Sequence, residues 1–140
     1  MPTLELKVIG LDDDLETLAQ KINSSAWDED NKVEQYTSES LQAYLGKDDT
    51  LFVVCYLVDG DRRILGGMAS ARIEQKPYDF SKWLYIDEVD TCSNHRQKGI
   101  GTVVMKCLLD LAEENDCEEV VSRQMIWDTL PQELKETFAV

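Results

Sequence analysis

Arg96-Gln97-Lys98-Gly99-Ile100-Gly101 is the stretch on which the reading of this chain turns. It lies where an apolar, strand-like run, Trp83 to about Thr91, gives way to a strongly amphipathic helix. Two glycines at such a corner let a ligand approach the backbone with no Cβ in the way, and they expose N–H groups at a helix N-terminus, where an anion is favoured. A Gly-x-Gly alone marks turns more often than ligand sites. Its weight here comes from the strand before it, the helix after it and the basic Arg96 three positions ahead of the first glycine.

Outward from that corner, the helix is expected from Gly99 to Asn115, with Ile100, Val103, Val104, Cys107, Leu108, Leu111 and Ala112 on its buried face. Upstream, Leu4 to Ile9 alternates as a strand. Asp12-Asp13-Asp14 offers capping carboxylates for a helix through about Ala26, and a second helix is expected over Ser38 to Leu45, ending at Gly46. Thr50 to Leu57 and Ile64 to Ile73 flank the turn Asp59-Gly60-Asp61 as a hairpin, and Gly66-Gly67 in its second arm predicts a bulge or a close backbone approach. Glu119 to Met125 reads as a last short strand. The order is β-α-α-β-β-β-α-β, with no repeat and no linker, so residues 1–140 are read as one domain.

The 140 residues carry 43% hydrophobic and 30% charged side chains, as an ordinary globular chain does. With 28 acidic against 14 basic residues the net charge is −14, which disfavours nucleic acid and anionic membranes as partners and favours cationic ones. Met1-Pro2-Thr3-Leu4-Glu5 has no basic, apolar leader character, and no apolar run approaches the roughly 18 residues of a membrane span, so a cytoplasmic location is expected. Cys55, Cys92, Cys107 and Cys117 lack CxxC spacing and His95 is the lone histidine, so no metal site is expected. Cys55 and Cys107 read as core residues, and reduced thiols are the default.

Leu84-Tyr85-Ile86-Asp87-Glu88-Val89, followed by Asn94-His95-Arg96-Gln97-Lys98-Gly99-Ile100-Gly101-Thr102, resembles the GNAT N-acetyltransferase superfamily, and most of all its aminoglycoside 3-N-acetyltransferase-like branch. The resemblance is best over residues 64–121. It implies an α+β fold with a mixed, mostly antiparallel sheet flanked by helices, acetyl-CoA as cosubstrate, and transfer of the acetyl group to a primary amine of a small cationic substrate, aminoglycoside- or polyamine-like. By the same resemblance the loop Gln97, Lys98, Gly99, Ile100, Gly101 and Thr102 would bind the pyrophosphate, Arg96 and Lys98 would add positive charge, and Val89, Asp90 and Thr91 would pair with the pantetheine arm.

The chemistry requires a neutral amine placed against a thioester carbonyl, and a carboxylate beside it can accept the ammonium proton. Asp87, Glu88 and Asp90 are the candidates. Strict strand alternation puts Glu88 and Asp90 on one face and Asp87 on the other. The resemblance favours Glu88 as the catalytic base, with Asp87 second.

The end of the chain departs from the family pattern. No tyrosine follows Tyr85, and Leu130, Leu134 and Phe138 have the spacing of one short helix, so the last two strands of the family sheet are expected to be missing. The general acid is then water, Cys92 or absent. An edge left open at Glu119 to Met125 would be covered by the tail, with Met125, Ile126 and Trp127 beside it, or by a second copy in a homodimer. The rival reading is a non-catalytic CoA-binding or protein-interaction module of the same fold. A doubly wound nucleotide-binding domain fits less well, because the third glycine of its fingerprint is absent.

Overall fold

The computed structural model describes residues 3–27, 32–93 and 99–122. Five strands, β1 (Thr3–Val8), β2 (Thr50–Asp59), β3 (Arg62–Gln75), β4 (Lys82–Thr91) and β5 (Cys117–Ser122), form one sheet in sequence order. The first three junctions are antiparallel; β4 and β5 run parallel, as the intervening helix α3 (Ile100–Glu114) requires of a crossover. Helices α1 (Leu15–Ser24) and α2 (Ser38–Leu45) follow β1. This is the mixed, mostly antiparallel α+β architecture expected. Arg123 to Met125 of the last expected strand, and the expected tail helix with Trp127, lie outside the described residues.

The sheet separates two cores. On one face Leu84, Ile86, Ala69, Ala71, Val53 and Cys55 pack under α3 through its Ile100, Val104, Met105, Leu108 and Ala112. On the other, Phe52, Val54, Tyr56, Leu65 and Met68 pack against Leu15, Leu18, Ala19 and Ile22 of α1 and Leu41 of α2. Met105 is fully buried while Val103, Cys107 and Leu111 are only partly so, which turns the inner face of α3 slightly from the sequence expectation.

Local chemistry fixes the helix ends. Asp14 caps α1 by accepting from the Thr17 amide at 3.1 Å, whereas Asp13 turns back to the Gly10 amide at 2.7 Å and to Lys7 at 2.6 Å. Helix α1 ends at Ser24, two residues short of Ala26. Thr37 and Ser40 form a reciprocal capping box at the start of α2. Gly46 ends α2 at φ −71, so its role there does not use the left-handed region.

Two irregularities shape the region between the sheet and its helices. Register with β2 shifts between Cys55 and Tyr56, leaving Gly66 as the extra residue of β3. A Cβ on Gly66 would meet Ile100 Cδ1 at 2.8 Å, and one on Gly67 would meet Ile100 Cγ2 at 2.5 Å. The glycine pair thus makes a bulge and also lets the first residue of α3 settle onto the sheet. The second irregularity lies in β4, where Ser70 pairs with Glu88 but Ala71 pairs with Ile86, leaving Asp87 as the extra residue.

Candidate active site

The bulge at Asp87 corrects the expected alternation of the acids. Leu84 and Ile86 face α3, and across the bulge Val89 packs into that same core, three residues after Ile86 rather than two. The residues between are displaced accordingly. Asp87 and Glu88 both line one cavity of about 410 Å³ on the α1/α2 face, so Asp87 does not point to the opposite face.

That cavity is bounded by Tyr36, Tyr44 and Phe52, by Ser70 from β3, and by the carboxylates of Glu34, Asp87 and Glu88. Among the described residues its lining includes no basic side chain. The segment before α2 is anchored from α1: Asn23 Oδ1 accepts from the Tyr36 amide and Asn23 Nδ2 donates to the Tyr36 carbonyl, each at 2.8 Å. The Tyr44 hydroxyl is engaged with the carbonyls of Ala71 at 2.8 Å and Leu51 at 3.1 Å. Burial, followed by the charges of Glu88 and Asp90, pushes the Tyr36 phenol up to about 12; burial first and then Asp87 does the same for Tyr44, also to about 12. Both stay protonated at neutral pH.

The three acids of β4 differ in their surroundings. Asp87 is compensated, its Oδ1 accepting from Arg72 at 2.7 Å, while Arg72 also reaches Glu74 at 3.1 Å and stacks over Tyr85. Glu88 forms no ion pair among the described residues. Asp90 is 3% exposed, and its Oδ2 has no hydrogen-bond partner among the described residues. Burial, then the charge of Glu88 and a hydrogen bond with it, push the Asp90 carboxyl up to about 7.

Strand β4 pairs with β5 from Lys82–Cys117 to Ile86–Ser122, as far as the described part of β5 reaches, and Glu88 to Thr91 pair with β3. Past its end, the Cys92 amide donates to Gly66 O at 3.0 Å, and the Ser93 amide donates to Ala26 O at 2.9 Å. The strand end is therefore tied both to the β3 bulge and to the segment after α1. Cys92 itself is buried, its thiol donating to Leu65 O at 3.4 Å, and burial raises its pKa. Such a thiol is a poor proton donor to a leaving group.

Beside Thr91 stands the N-terminus of α3. Gly99 occupies the cap at φ +80, in the left-handed region that glycine tolerates, and no side chain among the described residues caps the helix. The first intrahelical bond there runs from Val103 N to Gly99 O, so the amides of Ile100, Gly101 and Thr102 have no acceptor within the helix. A Cβ on Gly101 would meet nothing nearer, among the described residues, than Thr91 Cγ2 at 3.8 Å. Asn94, His95, Arg96, Gln97 and Lys98 lie outside the described residues.

The structure thus brings Asp87, Glu88 and Asp90 together on one side of the sheet and sets Gly99, Ile100, Gly101 and Thr102 beside Thr91 on the other. Sequence reasoning missed Tyr36, Tyr44, Phe52 and Glu34 as walls of the cavity. A signal existed for two of them, since Tyr36 and Tyr44 flank and occupy a short helix facing the acidic strand, but the family pattern points to a tyrosine beyond β5 instead.

A mixed sheet whose fourth strand bulges beside the glycine-marked N-terminus of α3 is the frame of an acetyltransferase. The chain belongs to the Acetyltransferase (GNAT) family, whose model matches residues 13–125. Among solved structures it is similar to an aminoglycoside acetyltransferase from an uncultured soil metagenomic sample in complex with sisomicin, at 19% identity and a TM-score of 0.67, over 86% of this chain and 76% of that one. It is similar to the ribosomal-protein-alanine N-acetyltransferase of Brucella melitensis biovar Abortus 2308, at 20% identity and a TM-score of 0.67, over 99% and 92%. A third is the glucosamine-6-phosphate N-acetyltransferase of Arabidopsis thaliana, at 19% identity and a TM-score of 0.66, over 86% and 82%. At these identities the likeness is one of fold. No curated protein matches the sequence at a significant level. No helix among the described residues is long and apolar enough to cross a membrane.

Proposed function

We propose that the chain transfers an acetyl group from acetyl-CoA to a primary amine of a small cationic acceptor, with Glu88 as the general base. The observation that carries this reading is the position of Glu88, a carboxylate lining an acidic, aromatic cavity just past the bulge of β4. Asp87 comes second because Arg72 already neutralises it.

The residues present fit the cosubstrate. Three amides without an intrahelical acceptor at the N-terminus of α3 and the bare Cα of Gly101 suit a pyrophosphate, and Val89, Asp90 and Thr91 would pair with the extended pantetheine arm. Arg96, Gln97 and Lys98 would complete the pyrophosphate loop. Helix α3 and the cavity lie on opposite faces of the sheet, with Thr91 beside the start of α3 and Glu88 at the cavity. From Thr91 back to Glu88 is three strand residues, roughly 10 Å. Acetyl-CoA supplies an activated acetyl thioester there; Glu88 holds the ammonium and accepts its proton, and Phe52 and Tyr36 limit the entry of water.

The carboxylates of Glu34, Asp87 and Glu88 and the aromatic rings beside them support a cationic acceptor of the aminoglycoside or polyamine kind. The test is release of free CoA thiol from acetyl-CoA against a panel of aminoglycosides, polyamines and peptides with a free N-terminal amine. Saturable turnover with a small polyamine or aminoglycoside supports the reading. Turnover confined to peptides overturns the acceptor class, and tight CoA binding with no turnover on any amine replaces catalysis with the binding-module reading.

A further inference from the structure

Of the three β4 acids, Asp90 has the environment least like that of a residue serving only through its backbone. It is buried, one carboxyl oxygen finds no partner among the described residues, and Glu88 two residues before it stands on the same face. An ionised, unpartnered carboxylate at such depth is costly, and two neighbouring carboxylates resist carrying two charges at once. We propose that Glu88 and Asp90 form one acid–base unit holding a single proton between them, in which neutral Asp90 is the positioning residue that donates a hydrogen bond to Glu88 and holds it toward the acceptor.

This rests on the reading of Glu88 as the base. Around this cavity, among the described residues, the other ionisable groups are Asp87 on the same strand, its partner Arg72 from β3, Glu34 and Tyr36 from the segment before α2, and Tyr44 from α2; Tyr56 and Lys21 lie farther along the same face, against each other. Arg72 spends its charge on Asp87 and Glu74, and neither phenol ionises near neutral pH, so none of these relieves Asp90. The thiol of Cys92, next on that face, is bonded to Leu65 O. With Asp90 neutral, an ammonium N–H bond breaks as a Glu88 O–H bond forms, and the pair then holds two protons. The extra proton returns to water through the cavity mouth.

The experiment is a carboxyl-carbon NMR titration of the full chain labelled at Asp and Glu side chains, in wild type, Asp90→Asn and Glu88→Gln, with acetyl-transfer rates measured on the same samples. In wild type one carboxyl is expected to titrate near pH 7, and Asp90→Asn removes it. Glu88→Gln lowers its midpoint by one pH unit or more, because the neighbouring negative charge is gone. A wild type in which every carboxyl titrates below pH 5 overturns the proposal, as does a midpoint that Glu88→Gln leaves unmoved. In Asp90→Asn, whose amide still donates, kcat/KM keeps its low-pH rise but loses any inflection near pH 7; retention of that inflection counts against the shared proton. If the titration shifts as expected while Glu88→Gln keeps full turnover, the shared proton stands and the role of Glu88 as base falls.

Discussion

The two halves of β4 have the same backbone chemistry and opposite consequences. From Lys82 to Ile86 the strand is paired on both sides, and Leu84 and Ile86 are buried under α3. From Asp87 to Thr91 it starts with a bulge and carries three acids in five positions. The first half holds the sheet together. The second gives up regular alternation and gains a cluster of carboxylates on one face. A single extra residue does this, since the bulge at Asp87 re-aims Glu88 and Asp90.

The largest effect that would test this contrast is chemical. Glu88→Gln should lower turnover by about a hundredfold to ten-thousandfold, the usual cost of losing a general base, with little change in acetyl-CoA affinity because Glu88 faces the acceptor cavity. Rapid-quench or thiol-release kinetics beside calorimetry separate the two quantities. Equal activity would transfer the role to Asp87 or to bulk water.

Next in size is a stability effect of opposite sign. The Asp90 carboxyl has a folded pKa of about 7, above its ordinary value of 3.8, so the folded state binds that proton more tightly than the unfolded chain. Its penalty is absent below about pH 4, grows as pH rises through the window between those values, and is complete above about pH 7. Asp90→Asn should therefore be more stable than wild type by up to a few kcal/mol at about pH 8 and about equal at about pH 4. Urea unfolding across that range checks it; a difference that does not change with pH would remove the buried charge as its cause. Asp13, Asp14 and Asp79 have pKa values lowered chiefly by side-chain hydrogen bonds, and their contribution is lost only as pH falls below their ordinary range, so it does not mimic this signal.

A third effect probes the strand end from the other face. Gly101→Val places a side chain where, among the described residues, only Thr91 Cγ2 lies within 4 Å, so the fold should survive while CoA affinity falls about tenfold or more, roughly 1.4 kcal/mol or above. Gly99 is a less clean site for this test, because at φ +80 any side chain adds backbone strain of its own. Unchanged affinity in Gly101→Val would remove the pyrophosphate from the start of α3.

Much of this architecture was legible in the sequence. The period of Ile100 to Ala112, the hairpin turn at Gly60 and the Gly66-Gly67 pair were read from rules that act within a few residues, and the fold follows them. The bulge at Asp87 was not legible, because nothing in Ile86-Asp87-Glu88 breaks strand character; it becomes visible only once Ser70 is seen opposite Glu88 and Ala71 opposite Ile86. That one long-range fact overturned the assignment of faces to the acids. The aromatic wall was hidden for the same reason, since Tyr36 and Phe52 meet only after α2 folds back over the sheet, with ring centroids 6.1 Å apart.

The smallest predicted effect asks whether Asp87 is silent because Arg72 neutralises it. Both side chains are more than or close to a third exposed, at 39% and 33%, so the ion pair is weakened by solvent and Arg72→Ala should cost no more than about 1 kcal/mol of stability. Its effect on binding should be clearer. Without the guanidinium, Asp87 adds an uncompensated negative charge to a cavity already lined by Glu34 and Glu88, so the KM for a cationic acceptor should fall a few-fold, and less so in high salt. An acceptor KM that rises in Arg72→Ala would mean that the guanidinium itself holds the substrate, and the acceptor would then carry an anionic or carbonyl group at that end of the cavity.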